Sequence, residues 1–106
     1  MRNFIEGYNE LEQKLGYEPN FHDDNIEKIT ITKDKIEFAL KTVDDVFYNL
    51  IFENVKEVNN FEGDLRGGVG IIFGLEIEQV DEKLKTIIEP SMGIECEIIS
   101  KRILVK

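Results

Sequence analysis

The run Gly16–Ile26 gathers most of the side chains in this chain that could do chemistry: the only histidine, His22, stands beside Asp23 and Asp24, with Tyr17, Glu18, Pro19 and Phe21 just before them. An imidazole next to a carboxylate is the minimum needed for a general base with an orienting partner. In an extended loop, however, adjacent side chains point apart, so His22 and Asp23 are not expected to form a dyad with each other. A metal centre needs about three protein ligands, and the chain has no His-x-His or Cys-x-x-Cys spacing. The expectation is therefore no catalytic residue, no metal and no cofactor. Asp23 or Asp24 should bond nearby backbone N–H groups in an Asx turn, with His22 packed on the sheet or helix. Pro19, Phe21, His22 and Asp23 then form a structural motif, and loss of the Asp23 bond should lower stability.

Other chemistry-bearing patterns are weaker. Arg66-Gly67-Gly68-Val69-Gly70 leads into a strand and matches no phosphate-binding spacing, so it reads as a turn or bulge. Gly74 likewise reads as a bulge or a close backbone approach. Neither Ser91 nor Ser100 has the Gly-x-Ser-x-Gly setting of a nucleophile. Glu76/Glu78 and Glu95/Glu97 each recur at spacing two, which puts each pair on the outward face of a strand. Such pairs serve a solvated face, or acid–base and cation chemistry. If their strands are neighbours, like charges oppose one another, a cost that a basic partner would offset. The expected partner surface is Tyr17, Glu18, Asp24, Glu76, Glu78, Glu95 and Glu97.

The elements that must hold these residues follow from periodicity. Phe4, Ile5, Tyr8, Leu11 and Leu15 share one helical face, which predicts a helix over 3–15. Asn3 would cap it with Glu6 three residues on, Gly7 would weaken it, and Gly16 would stop it. The remainder alternates as strands. Inward rows are Ile29/Ile31, Ile36/Phe38/Leu40, Val46/Tyr48/Leu50/Phe52, Ile71/Phe73/Leu75/Ile77, Leu84/Thr86/Ile88, Ile94/Cys96/Ile98 and Ile103/Val105. Turns are expected at Lys33–Lys35, Asp44–Asp45 and Pro90–Gly93, with a loop over 59–64. Short gaps favour antiparallel pairing throughout. The predicted fold class is α+β: an N-terminal helix packed on a curved antiparallel β-sheet of about six strands, in a single domain over 1–106.

Charge bounds the partners. The net charge is −9 in 106 residues, and both halves are acidic. That field repels nucleic acid and anionic membranes and speeds association with a basic protein. No apolar run reaches the ~20 residues of a membrane span, and acids interrupt the N-terminus where a signal core would lie. The lone Cys96, in phase with Ile98, reads as a buried thiol. A cytoplasmic location is expected.

The loop wording adds a resemblance. Leu15-Gly16-Tyr17-Glu18-Pro19-Asn20-Phe21-His22-Asp23 is similar to the aromatic-Gly-x-Trp-Pro-Ser-Phe-His-Asp loop of the Immunity protein 50 family of bacterial polymorphic toxin systems. Ile5-Glu6-Gly7 with Leu11, and the strand Tyr48–Val55, resemble further parts of that family's pattern. Leu15 and Glu18 depart from it, standing where the family has an aromatic and Trp. The resemblance implies a cytoplasmic immunity protein, an antitoxin that binds a cognate toxin domain and occludes its active or substrate site. A nuclease toxin would present a basic cleft suited to an acidic face. Two alternatives come from the residues themselves: a small hydrolase or metal-dependent enzyme using His22 with Asp23 or Asp24, and a small-ligand-binding β domain.

Overall fold

The computed structural model describes residues 3–62, 70–93 and 95–106, and of 60–62 and 91–93 the backbone alone. In chain order the elements are β1 (Ile5–Glu6), α1 (Tyr8–Leu15), β2 (Asn25–Ile31), β3 (Lys35–Lys41), β4 (Phe47–Glu62), β5 (Gly70–Val80), β6 (Lys83–Gly93) and β7 (Glu95–Val105). They form one seven-stranded sheet in the order β1-β7-β4-β3-β2-β5-β6. Because β6 also pairs with β7, six of the strands close into a ring. Two meanders, β2-β3-β4 and β5-β6-β7, meet along β4–β7 and touch again where Asn25 and Ile26 face Ile71 and Gly70.

The structure departs from the predicted helix-on-sheet at its N-terminus. The helix is short, spanning 8 residues and starting at Tyr8. Ile5 and Glu6 instead lie parallel to β7, opposite Ile103 and Leu104, on the stretch of β7's edge beyond its pairing with β6. The antiparallel expectation rests on short crossovers between consecutive strands, and β1 and β7 are the first and last elements of the chain. Asn3 is therefore no cap. Gly7 fills that position with φ 83°, and Gly16 closes the helix with φ 85°, its N–H reaching the Glu12 carbonyl at 2.9 Å. An isolated helix of this length is not stable in water. Burial of Tyr8 and Leu11 in the core holds it, each such side chain contributing about 1.5–3 kcal/mol.

Most inward rows stand as the alternation predicts. Ile36, Phe38, Leu40, Tyr48, Leu50, Phe52, Ile88, Cys96, Ile98 and Ile103 are all buried, with Phe38 and Phe52 in edge contact at 5.8 Å. Burial pushes the Cys96 thiol up to about 12. The failures fall where the ladder slips. Register shifts between Ile71/Ile72 and Ile72/Gly74 turn Ile72 inward and leave Phe73 56% exposed. The bulge expected at Gly74 is there, and a Cβ on it would meet nothing closer than 3.9 Å. Ile31 keeps its phase, opposite buried Ile36, but is exposed; among the described residues β2 beyond Ile26 pairs with β3 alone. Residues 59–62, expected as loop, extend β4, and Pro90–Gly93, expected as a turn, end β6. Of the glycine run, only Gly70 lies among the described residues, as do the Ile94 row's other members but not Ile94 itself. Bulges in β4 after Asn54, whose φ is 54°, let that long strand bend between the two meanders. No helix among the described residues is long and apolar enough to cross a membrane.

Gly7 separates two costs of substitution. A Cβ there would stand 2.6 Å from the Val105 carbonyl oxygen, whereas one on Gly16 would meet nothing within 4 Å. Gly16→Ala should cost about 1–2 kcal/mol for the left-handed backbone alone. Gly7→Ala should lose that and about 1–3 kcal/mol more for the clash. Urea denaturation of the two variants measures the difference, and equal losses would remove the Val105 contact from the account.

Candidate functional site

The loop from Gly16 to Asp24 runs along one end of the ring and ends on β5. Asp23 N–H donates to the Ile72 carbonyl at 2.8 Å, and Ile72 N–H donates to the Asp24 carbonyl at 3.0 Å. These two bonds extend the β2–β5 pairing by one step. Tyr8 Oη anchors the other end of the loop by donating to the Pro19 carbonyl at 2.8 Å, with Glu18 Oε1 at 3.3 Å. Between the anchors the backbone is strained: Phe21 has φ 64° and Asp23 has φ 68°. A bulky aromatic in that region costs on the order of 1–3 kcal/mol, which burial of the Phe21 ring against Tyr48 offsets.

The strain re-aims the side chains. Asn20 makes the Asx bond expected of an aspartate, its Oδ1 accepting the His22 N–H at 2.9 Å. His22 Nδ1 lies 2.6 Å from the Phe73 carbonyl, which can only accept, so Nδ1 carries a proton. The ring stands edge-on to exposed Phe73 at 5.5 Å. Its Nε2 lies 3.5 Å from Asp23 Oδ2. His22 and Asp23 thus do meet, against the expectation for an extended loop, because the left-handed Asp23 backbone abolishes the alternation. Both groups are half exposed, and the contact is an ion pair only when the ring carries a proton on both nitrogens.

The structural carboxylate is Asp24, and not Asp23. Asp24 is 6% exposed and accepts a hydrogen bond from Tyr48 Oη. Burial pushes its carboxyl above the ordinary value of 3.8; the Tyr48 bond pulls it back, and neighbouring Asp23 pushes it up again. Tyr48 is likewise raised, by burial first and then by Asp24, so the phenol stays protonated and donates. Tyr48 appeared in the sequence only as a core residue, and its role as donor has no local signal.

A cleft of about 270 Å³ opens beside this pair, lined chiefly by Tyr17, Asn20, His22, Asp23, Val43 and Asp44. Val43 sits on the turn from Thr42 to Val46, whose N–H groups at Asp44 and Val46 donate to Thr42 Oγ1. Val43 is 72% exposed and Tyr17 42%. The lining offers neither a serine nor a cysteine to activate, and no three metal-binding side chains converge among the described residues. Chemically the cleft can hold a cationic or hydrogen-bonding group against an aromatic wall.

The strand carboxylates stand apart from this lip. Glu76 and Glu78 continue along β5, while Glu95 and Glu97 are on β7, with β6 between them. The two pairs do not oppose each other, because β6 lies between their strands, and its Lys85 stands 3.9 Å from both Glu78 and Glu97. Comparison with protein-family models, curated proteins and solved structures finds no match.

The Asp24 shift has a signed consequence. Between 3.8 and its raised native value, the folded chain keeps a proton that the unfolded chain has released. The stability this contributes is complete at lower pH and is lost as pH rises through the native value. Asp24→Asn removes the titration and keeps an acceptor for Tyr48. From about pH 4 to about pH 7 the variant should therefore gain stability relative to the wild type. Parallel stability profiles across that range would contradict a raised Asp24.

Proposed function

We propose that this chain is a binding protein of the immunity type, which captures a basic cognate toxin domain and blocks its active or substrate site, working in the cytoplasm without turnover, metal or cofactor. The observation that carries this reading is the lip at the end of the ring. Exposed Tyr17 and Val43 line the cleft together with His22, whose ring stands edge-on to exposed Phe73, and Asp23 and Asp44 add carboxylates to the lining. Aromatic anchors inside a charged rim are the usual makings of a protein hot spot. The loop that builds the lip is also the stretch that resembles the Immunity protein 50 family, and its backbone strain fits a recognition element. A net charge of −9 suits a basic partner, with a nuclease as the toxin type best matched. Asp24 is inside, so it supports the surface and does not face the partner.

One observation favours a second reading, a small hydrolase: the His22–Asp23 pair at the mouth of the cleft. The two readings part in a growth-rescue assay, with the toxin domain encoded beside this chain's gene expressed from an inducible promoter. Tyr17→Ala with Val43→Ser should weaken toxin binding by about 2 kcal/mol or more and abolish rescue without changing the melting temperature. His22→Ala should leave rescue nearly intact. Rescue lost in a folded His22→Ala variant, with Tyr17→Ala/Val43→Ser harmless, would favour the hydrolase.

A further inference from the structure

One edge of β5 is paired along its length and the other is not. Towards β6 the register runs unbroken from Gly74 to Val80. On the opposite side β5 meets β2 at Gly70 and Ile71, the loop at Ile72, and the His22 ring at the Phe73 carbonyl. From Gly74 to Val80 no described residue pairs with that edge. Val80 and Lys83 face each other across the two-residue turn Asp81–Glu82, which makes them the hydrogen-bonded pair of the hairpin. Alternation from Val80 then directs the peptide groups of Gln79, Ile77 and Leu75 away from β6, to the open side.

We propose that this edge is a strand-addition site that takes an extended, basic segment of the partner, and the proposal rests on the partner-binding reading above. Natural sheets blunt a free edge with lysine, proline or bulges. Glu27–Ile31 of β2, which among the described residues pairs with β3 alone, carries Lys28, whereas Gly74–Val80 carries neither lysine nor proline and is regular beyond the Gly74 bulge. Its charges are Glu76 and Glu78, both exposed and on the outer face. Those two select the occupant. An added strand would place alternate side chains beside them, where Lys or Arg is favoured. A second copy of this chain would set glutamates against glutamates and join two bodies of net charge −9. Exposed Phe73 and Val80 bracket the stretch and give an incoming strand an apolar contact at each end.

The test needs no toxin. A capped peptide of about eight residues alternating Lys and Val is titrated into the full chain, with a Glu/Val peptide as its mirror, and amide exchange is followed by NMR. The basic peptide should slow exchange about tenfold or more at Leu75, Ile77 and Gln79, and the acidic one should not. Glu76→Lys/Glu78→Lys, at exposed positions, should reverse that preference with the spectrum of the core unchanged. Gln79→Pro, which removes one edge donor outside the β6 ladder, should weaken the basic peptide alone. Three results would overturn the proposal: no protection at saturating peptide, equal response to both peptides, or protection of these amides that grows with protein concentration alone. Loss of toxin rescue with peptide protection intact would remove the immunity reading and leave the edge. Rescue without protection would do the reverse.

Discussion

Two backbone hydrogen bonds between the loop and Ile72 have consequences out of proportion to their number. Among the described residues, the ring of strands joins β2 to β5 through Asn25, Ile26 and these two bonds. Every other contact in the ring is a ladder many residues long. One consequence is that the loop must reach β5 with its peptide groups aligned. That alignment needs left-handed backbone at Phe21 and Asp23, which L-residues adopt at a cost. Packing of Phe21 on Tyr48 and the Tyr48–Asp24 hydrogen bond hold the loop there.

The same seam creates the exposed surface. Turning Phe21 and Asp24 inward leaves Tyr17, His22 and Asp23 outside, around a cleft with Val43 and Asp44. The bulge that lets Ile72 bond the loop also throws Phe73 outward, under the His22 ring. Burial inside and display outside are therefore two faces of one local constraint. A carboxylate that is buried beside a tyrosine works as a support, and its raised proton affinity is the mark of that role.

Charge is organised by the topology more than by its total. The carboxylates of β5 and β7 are separated by β6, and Lys85 sits between Glu78 and Glu97. Arg102 does the same for β1 and β4, donating to Glu6 and to Glu53, the latter at 2.7 Å. These exposed networks contribute little to stability. On the outer side of β5, Glu78 pairs with Lys85, and Glu76 has no ion pair among the described residues. Along that stretch no described residue pairs with the edge of β5 away from β6, so unpaired main chain and carboxylates lie side by side there.

The sequence by itself determined the interior rows, because a period of two in a half-buried strand leaves little freedom: Phe38, Leu50, Phe52, Cys96 and Ile98 are inside as their alternation requires. It also determined the helix stop at Gly16 and the hairpin at Lys33–Lys35, both local matters of backbone conformation. Only the tertiary structure decided the rest. Gly7 reads locally as a weak helix residue, yet Val105, at the other end of the chain, makes it a required close approach. Of the two loop aspartates, the buried one was settled by Tyr48, 24 residues away. Phe73 is outside and Ile72 inside because a bulge, which leaves no mark in hydrophobic periodicity, inverts the phase. The ring closure, and the edge of β5 that no described residue pairs with, belong to the same class. Pairing partners distant in sequence are chosen by which register buries the most apolar surface, and that choice has no local signature.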